Sequence, residues 1–205
     1  EAMGFARRAL ALDPQHQSAL TLLGAAAVNT RRFAIGKASL DKAVEIDPAD
    51  VVARFERFEF FDRCCEQREA LAELNDLLAL QTPALDSQFN RMLDRDMSYR
   101  TMARLQRVKT LENMGRFPEA LKAADAFVAA EPGAVSYGWR ASYHLNRDKF
   151  DLAQADLEKA LSYDADFWFL HHVQGRLYFY THRYQDAVAS LTRALARYSV
   201  NGDTY

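Results

Sequence analysis

A chain of 205 residues with 49% hydrophobic and 26% charged residues has the composition of a folded protein rather than a disordered one. A net charge of −2 and a pI near 6.2 leave no electrostatic footprint for nucleic acid, and no run of five like charges marks a polybasic membrane anchor. The longest apolar runs, such as Gly24–Val28, fall far short of the ~20 residues that cross a membrane, so neither nucleic acid nor membrane insertion is expected. The adjacent Cys64 and Cys65 close no useful loop and read as buried or half-buried free thiols. They mildly favour a reducing compartment, and a cytoplasmic location is expected. A periplasmic one is the alternative, because Glu1 opens inside a helical pattern whose N-terminal part reads as missing.

Residues 1–16 read as the second helix of a truncated unit. Ala2, Ala6 and Ala9 make a small-residue stripe, and Asp13-Pro14 stops it, since proline has no N–H to continue the ladder. Residues 17–50 are one complete unit, with Pro14 and Pro48 thirty-four positions apart. Its first helix is expected from about Ser18 to Thr30. Gly24 falls in the middle, where glycine costs ~1 kcal/mol against alanine, so close approach of a second helix is called for. A turn at Arg31–Arg32 leads to that helix, with Gly36, Leu40 and Ala43 as its stripe.

Residues 51–83 are a divergent copy. Asp50 suits the N-cap of its first helix, which is crowded with Phe55, Phe58, Phe60 and Phe61. Phe58 takes the glycine position and is expected to push the paired helices apart. Residues 84–100 break the spacing, for Pro83 and Pro132 are forty-nine apart. They read as an insertion or as an extension of the next front helix, starting near Asp86 or Ser87; a separate short helix with a kink near Ser98 is the alternative. The unit resumes over 101–133, 134–166 and 167–199. In the last of these Asp166 reads as the N-cap, and Gly175, Tyr178, Tyr184, Ala187, Leu191 and Ala194 follow in order. Residues 200–205, with Tyr205, read as the start of a further unit.

The order Leu-Gly, turn aromatic, alanine stripe and terminal proline over thirty-four residues resembles the tetratricopeptide repeat. Leu23-Gly24, Gly36, Leu40 and Pro48 carry the resemblance in 17–50, with Leu20 and Ala27 in place of the family's aromatics. It recurs over nearly the whole chain except 84–100. The resemblance implies an all-α fold, a right-handed superhelical solenoid of antiparallel helix pairs, in a single array that looks like a segment of a longer one.

No His-Glu-x-x-His, Gly-x-Ser-x-Gly, phosphate loop or dinucleotide turn occurs. His171 and His172 are adjacent on a helix and point ~100° apart, which is poor geometry for one metal. The chain is therefore read as non-catalytic, with no metal and no cofactor. The resemblance implies binding instead, with front helices lining a concave wall that takes a protein or extended peptide. Opposite the Leu-Gly stripe, the last unit presents Phe169, His172, Arg176 and Phe179. The same construction gives Phe55 and Glu59, with Val52 and Asp62, in the second unit, and Lys109, with Met102 and Glu112, in the third. A peptide with an aromatic or aliphatic anchor near a carboxylate suits the last of these walls. An equally weighted reading makes Phe169 and Phe179 core residues covered by a following repeat, since helical aromatic stripes are often core; the eight aromatics in the 22 positions from Tyr163 to Tyr184 suit a hot spot or a thick core alike. In the first complete unit the wall is Ser18, Thr21, Ala25 and Val28. The family's clamp for C-terminal carboxylates needs lysine and asparagine where Thr21 and Ala25 stand, so that activity is not expected. The alternatives are self-association through 84–100 and Phe55–Phe61, or a regulatory arm of an enzyme whose catalytic domain lies elsewhere.

Overall fold

The structure is a computed structural model and describes residues 1–80 and 97–202. These are all-α. The chain divides into two compact units, 1–117 and 118–205. The first holds α1 (Ala2–Leu12), α2 (Gln17–Asn29), α3 (Phe33–Ile46), α4 (Val51–Arg63), α5 (Gln67–Ala79) and α6 (Tyr99–Asn113). The helix α7 (Phe117–Ala130) begins on its last residue. The second unit continues with α8 (Ala134–Leu145), α9 (Phe150–Tyr163), α10 (Trp168–Tyr180) and α11 (Tyr184–Gly202).

Close approach explains the mid-helix glycine. A Cβ at Gly24 would lie 2.5 Å from Leu40 Cγ, and one at Gly36 would lie 2.8 Å from Val28 Cγ2. The pairing of 24 with 40 and of 28 with 36 makes α2 and α3 antiparallel. Gly175 does the same against Leu191 Cγ, at 2.6 Å, for α10 and α11.

The turns within these pairs share one geometry. Arg31, Cys65, Gly115, Asp148 and His182 all have φ between 55° and 70°. The next residue's N–H returns to a carbonyl five positions back, as in Arg32 to Ala27 at 2.8 Å and Arg183 to Tyr178 at 2.8 Å. This is the left-handed helix-ending motif that glycine usually fills; four of these five residues carry a side chain.

Asp50 caps α4 as expected, its Oδ1 accepting from the Val52 and Ala53 amides at 2.8 and 3.1 Å. Two helix starts differ from expectation. The helix α6 begins at Tyr99, not near Asp86 or Ser87, because Ser98 Oγ accepts from the Thr101 amide at 3.1 Å and ends the helix there. The rest of that segment, 84–96, lies outside the described residues. Asp166 does not cap α10; Phe167 occupies the cap position, while the Asp166 carboxylate pairs with Arg197 at 2.5 Å. Residues 200–202 continue α11 rather than opening a new unit, and Tyr205 lies outside the described residues. Cys64 is half-buried and Cys65 exposed, both free.

In the first unit the core is built from Phe55, Phe58, Leu74, Leu77 and Tyr99, with Phe55 and Phe58 rings 5.5 Å apart. Phe58, standing where glycine was expected, is fully absorbed there. The second core gathers Leu145, Leu157, Phe169, Leu170, Val173 and Leu177. Both units bury an acid between paired helices at a spacing of sixteen. Glu73 accepts from Arg57 Nε at 2.7 Å and Arg54 Nη1 at 2.6 Å. Asp156 takes Arg140 in a two-pronged grip at 2.8 and 2.7 Å. At the same spacing Ser190 bonds Gln174 at 3.1 Å.

Candidate functional site

The helix α10 carries four of the seven expected groove residues. Its Leu170, Val173 and Leu177 turn into the core, and the opposite positions are divided between burial and exposure. Phe169 is 8% exposed, stacked on Trp139 of α8 at 4.4 Å and 21°. It is a core side chain, covered by α8 rather than by a following helix, and is not open to a ligand. Phe179 is 56% exposed and meets Tyr180 and Tyr184 edge-on at 5.7 and 5.9 Å. Between them His172 is half-buried, its ring stacked on Phe169 at 6.4 Å. Arg176 donates from Nη2 to Asn146 Oδ1 at 2.7 Å, which anchors the guanidinium near the C-terminal end of α8.

Burial holds His172 below the ordinary histidine range, and the Arg176 charge adds to the effect, so at neutral pH the ring is uncharged. One positive charge, from Arg176, therefore sits between a neutral imidazole and an exposed phenyl ring. His172 also lines an apolar pocket of about 490 Å³ with Trp168, Leu191, Ala194 and Leu195. Chemically this face offers apolar contact beside one cation.

The other three expected residues lie in the first unit. Phe55 is 1% exposed in the core, so it is not open to a ligand. Glu59 is half-buried and Lys109 exposed. What sequence reasoning missed is the pairing of arginine and acid sixteen residues apart. Arg57/Glu73 and Arg140/Asp156 occupy the same places in their units, and that shared spacing was the available signal.

The tetratricopeptide repeat family matches residues 17–50 and 134–167. The chain is a tetratricopeptide-repeat protein. Its all-α repeat fold agrees with solved structures similar to it. BtubC from P. vanneervenii superposes with a TM-score of 0.64 at 15% identity, over 98% of this chain and 88% of that one. Pseudomonas aeruginosa pilF gives 0.61 at 18% identity, over 88% and 76%. YrrB, described as a TPR protein with an unusual peptide-binding site, gives 0.55 at 13% identity, over 94% and 91%. At these identities the likeness is one of fold. No curated protein sequence matches. Tetratricopeptide repeats generally mediate protein–protein interaction, and among the described residues no helix is long and apolar enough to cross a membrane.

Proposed function

We propose that this tetratricopeptide-repeat protein is a non-catalytic scaffold that holds a peptide segment of a protein partner against α10, along His172, Arg176 and Phe179. The observation that carries the reading is the juxtaposition of a 56% exposed phenylalanine with a guanidinium fixed at 2.7 Å by Asn146 on one helix face. A preorganised arginine loses little entropy on pairing with a carboxylate, and an exposed ring beside it supplies the apolar anchor that binding hot spots use. Peptide binding by YrrB, of similar fold, is in keeping with this use.

The experiment is selection of peptides from a displayed library on the full chain, followed by calorimetry with the enriched sequence. Enriched peptides carry an aromatic or aliphatic residue near an acid. Arg176→Glu weakens them about tenfold or more, the worth of one charge-assisted contact, at an unchanged melting temperature. Equal affinity of the variant removes Arg176 from the site.

A second reading is self-association. It is favoured by one exposed apolar stripe on α11, with Tyr184, Val188 and Leu195 at 55, 66 and 70% exposure. Sedimentation decides it, because a strictly monomeric species at high concentration excludes strong pairing.

A further inference from the structure

A different flank of α10, turned by one residue (about 100°) from His172, opens on a second space within the same unit. It is a groove of about 630 Å³ lined by Leu161, Asp166, His171, Gln174, Arg193 and Arg197, and so bounded by α9, α10 and α11. His171 is 9% exposed, and its Nδ1 is buried with no hydrogen-bond partner among the described residues. Such orphaned polar atoms are uncommon in folded proteins and ask for a reason. Gln174 uses Oε1 to accept from Ser190 Oγ at 3.1 Å, and its amide Nε2 makes no bond among the described residues. Arg197 is held by Asp166 at 2.5 Å. Arg193 has no ion pair among the described residues.

We propose that this groove binds a carboxylate carried on an apolar body, namely an aspartate or glutamate side chain of a partner peptide with apolar neighbours. The guanidinium of Arg193 supplies the planar fork that a carboxylate fits. Gln174 Nε2 supplies a further donor, and the His171 ring forms part of the groove wall. Charge selects the class of anion. Two guanidiniums against the one Asp166 carboxylate leave a single positive charge, which matches a carboxylate better than a phosphate dianion. The volume holds more than a bare ion, and Leu161 provides apolar wall for the ligand's neighbours. The site does not depend on the His172–Arg176–Phe179 face.

The test uses nuclear magnetic resonance on the isotope-labelled full chain with three probes: acetyl-Leu-Glu-Leu-amide, its glutamine counterpart, and inorganic phosphate. The glutamate peptide is expected to give saturable shifts at the His171 ring and the Arg193 Nε–H, while the other two give none. Arg193→Gln, a change at an exposed position, weakens the glutamate peptide by about tenfold and leaves the melting curve in place. Arg176→Glu leaves this binding unchanged. The proposal is overturned by equal response to the glutamine peptide, by phosphate binding tighter than the glutamate peptide, by no saturable shift up to the peptide's solubility, or by full affinity in Arg193→Gln.

Discussion

Gly24 shows how one atom fixes a helix separation. The Cβ of an alanine there would stand 2.5 Å from Leu40 Cγ, and Leu40 is fully buried. Gly24→Ala is therefore expected to cost about 1–3 kcal/mol by overpacking, despite alanine's better helix propensity; a gain in denaturant midpoint would contradict it. The Asp156 carboxylate has the opposite role, neutralising Arg140 between two helices. Asp156→Ala leaves Arg140 only partly buried and still near Asp125 at 2.8 Å, so the loss is about 2 kcal/mol rather than that of a sealed ion pair. Histidines give the pH dependence. Burial is the main reason that His144 and His172 lie below the ordinary value of 6.5. Just below that pH the unfolded chain binds more protons than the folded one, so stability rises with pH through this window and is lost as pH falls. Their contribution to the melting temperature should fall between about pH 7 and pH 5, and His144→Gln with His172→Gln should flatten the decline. An unaltered slope in the double variant would contradict the assignment.

At the scale of elements, the recurrent left-handed turn is the feature most open to measurement. Only Gly115 among the five positions avoids the penalty for a side chain at positive φ, which is about 1–2 kcal/mol. Arg31→Gly and Asp148→Gly are each expected to raise stability by about 0.5–1 kcal/mol net of glycine's larger unfolded-state entropy. Gly115→Ala should lower it by about 1 kcal/mol. Thermal unfolding of the three variants checks the signs together. The turn at Arg31–Arg32 was legible as a turn, because it closes a helix pattern before a small-residue stripe restarts, and the other turns lie at the corresponding places in later units. Their conformation was not legible, since arginine, cysteine, aspartate and histidine are not the residues that announce a left-handed cap. The helix starts divide in the same way. Asp50 caps α4 through atoms two and three residues away, a local relation that sequence displays. Asp166 has the same residue type in the same place, but its carboxylate goes to Arg197, thirty-one positions on. No local rule weighs that competitor.

For the molecule as a whole, the thirty-four-residue spacing carried the fold because it is a repeated local signal, and agreement among several weak copies is strong. The candidate face was only partly legible. A helical period selects Phe169, His172, Arg176 and Phe179 as one stripe, yet it cannot tell that Trp139 lies over Phe169 while Phe179 stays open. That distinction belongs to the packing of α8 on α10. The same period selects Phe55, which the first unit's core absorbs. The proposed working surface of this repeat scaffold is the exposed part of α10, with a cation beside an open aromatic ring. Backbone hydrogen exchange of the full chain, with and without a library-selected peptide, tests that claim most directly. The expected result is slowed exchange concentrated in Trp168–Tyr180, and its loss in Arg176→Glu. Protection confined to the first unit, or protection of α10 that survives Arg176→Glu intact, would contradict it.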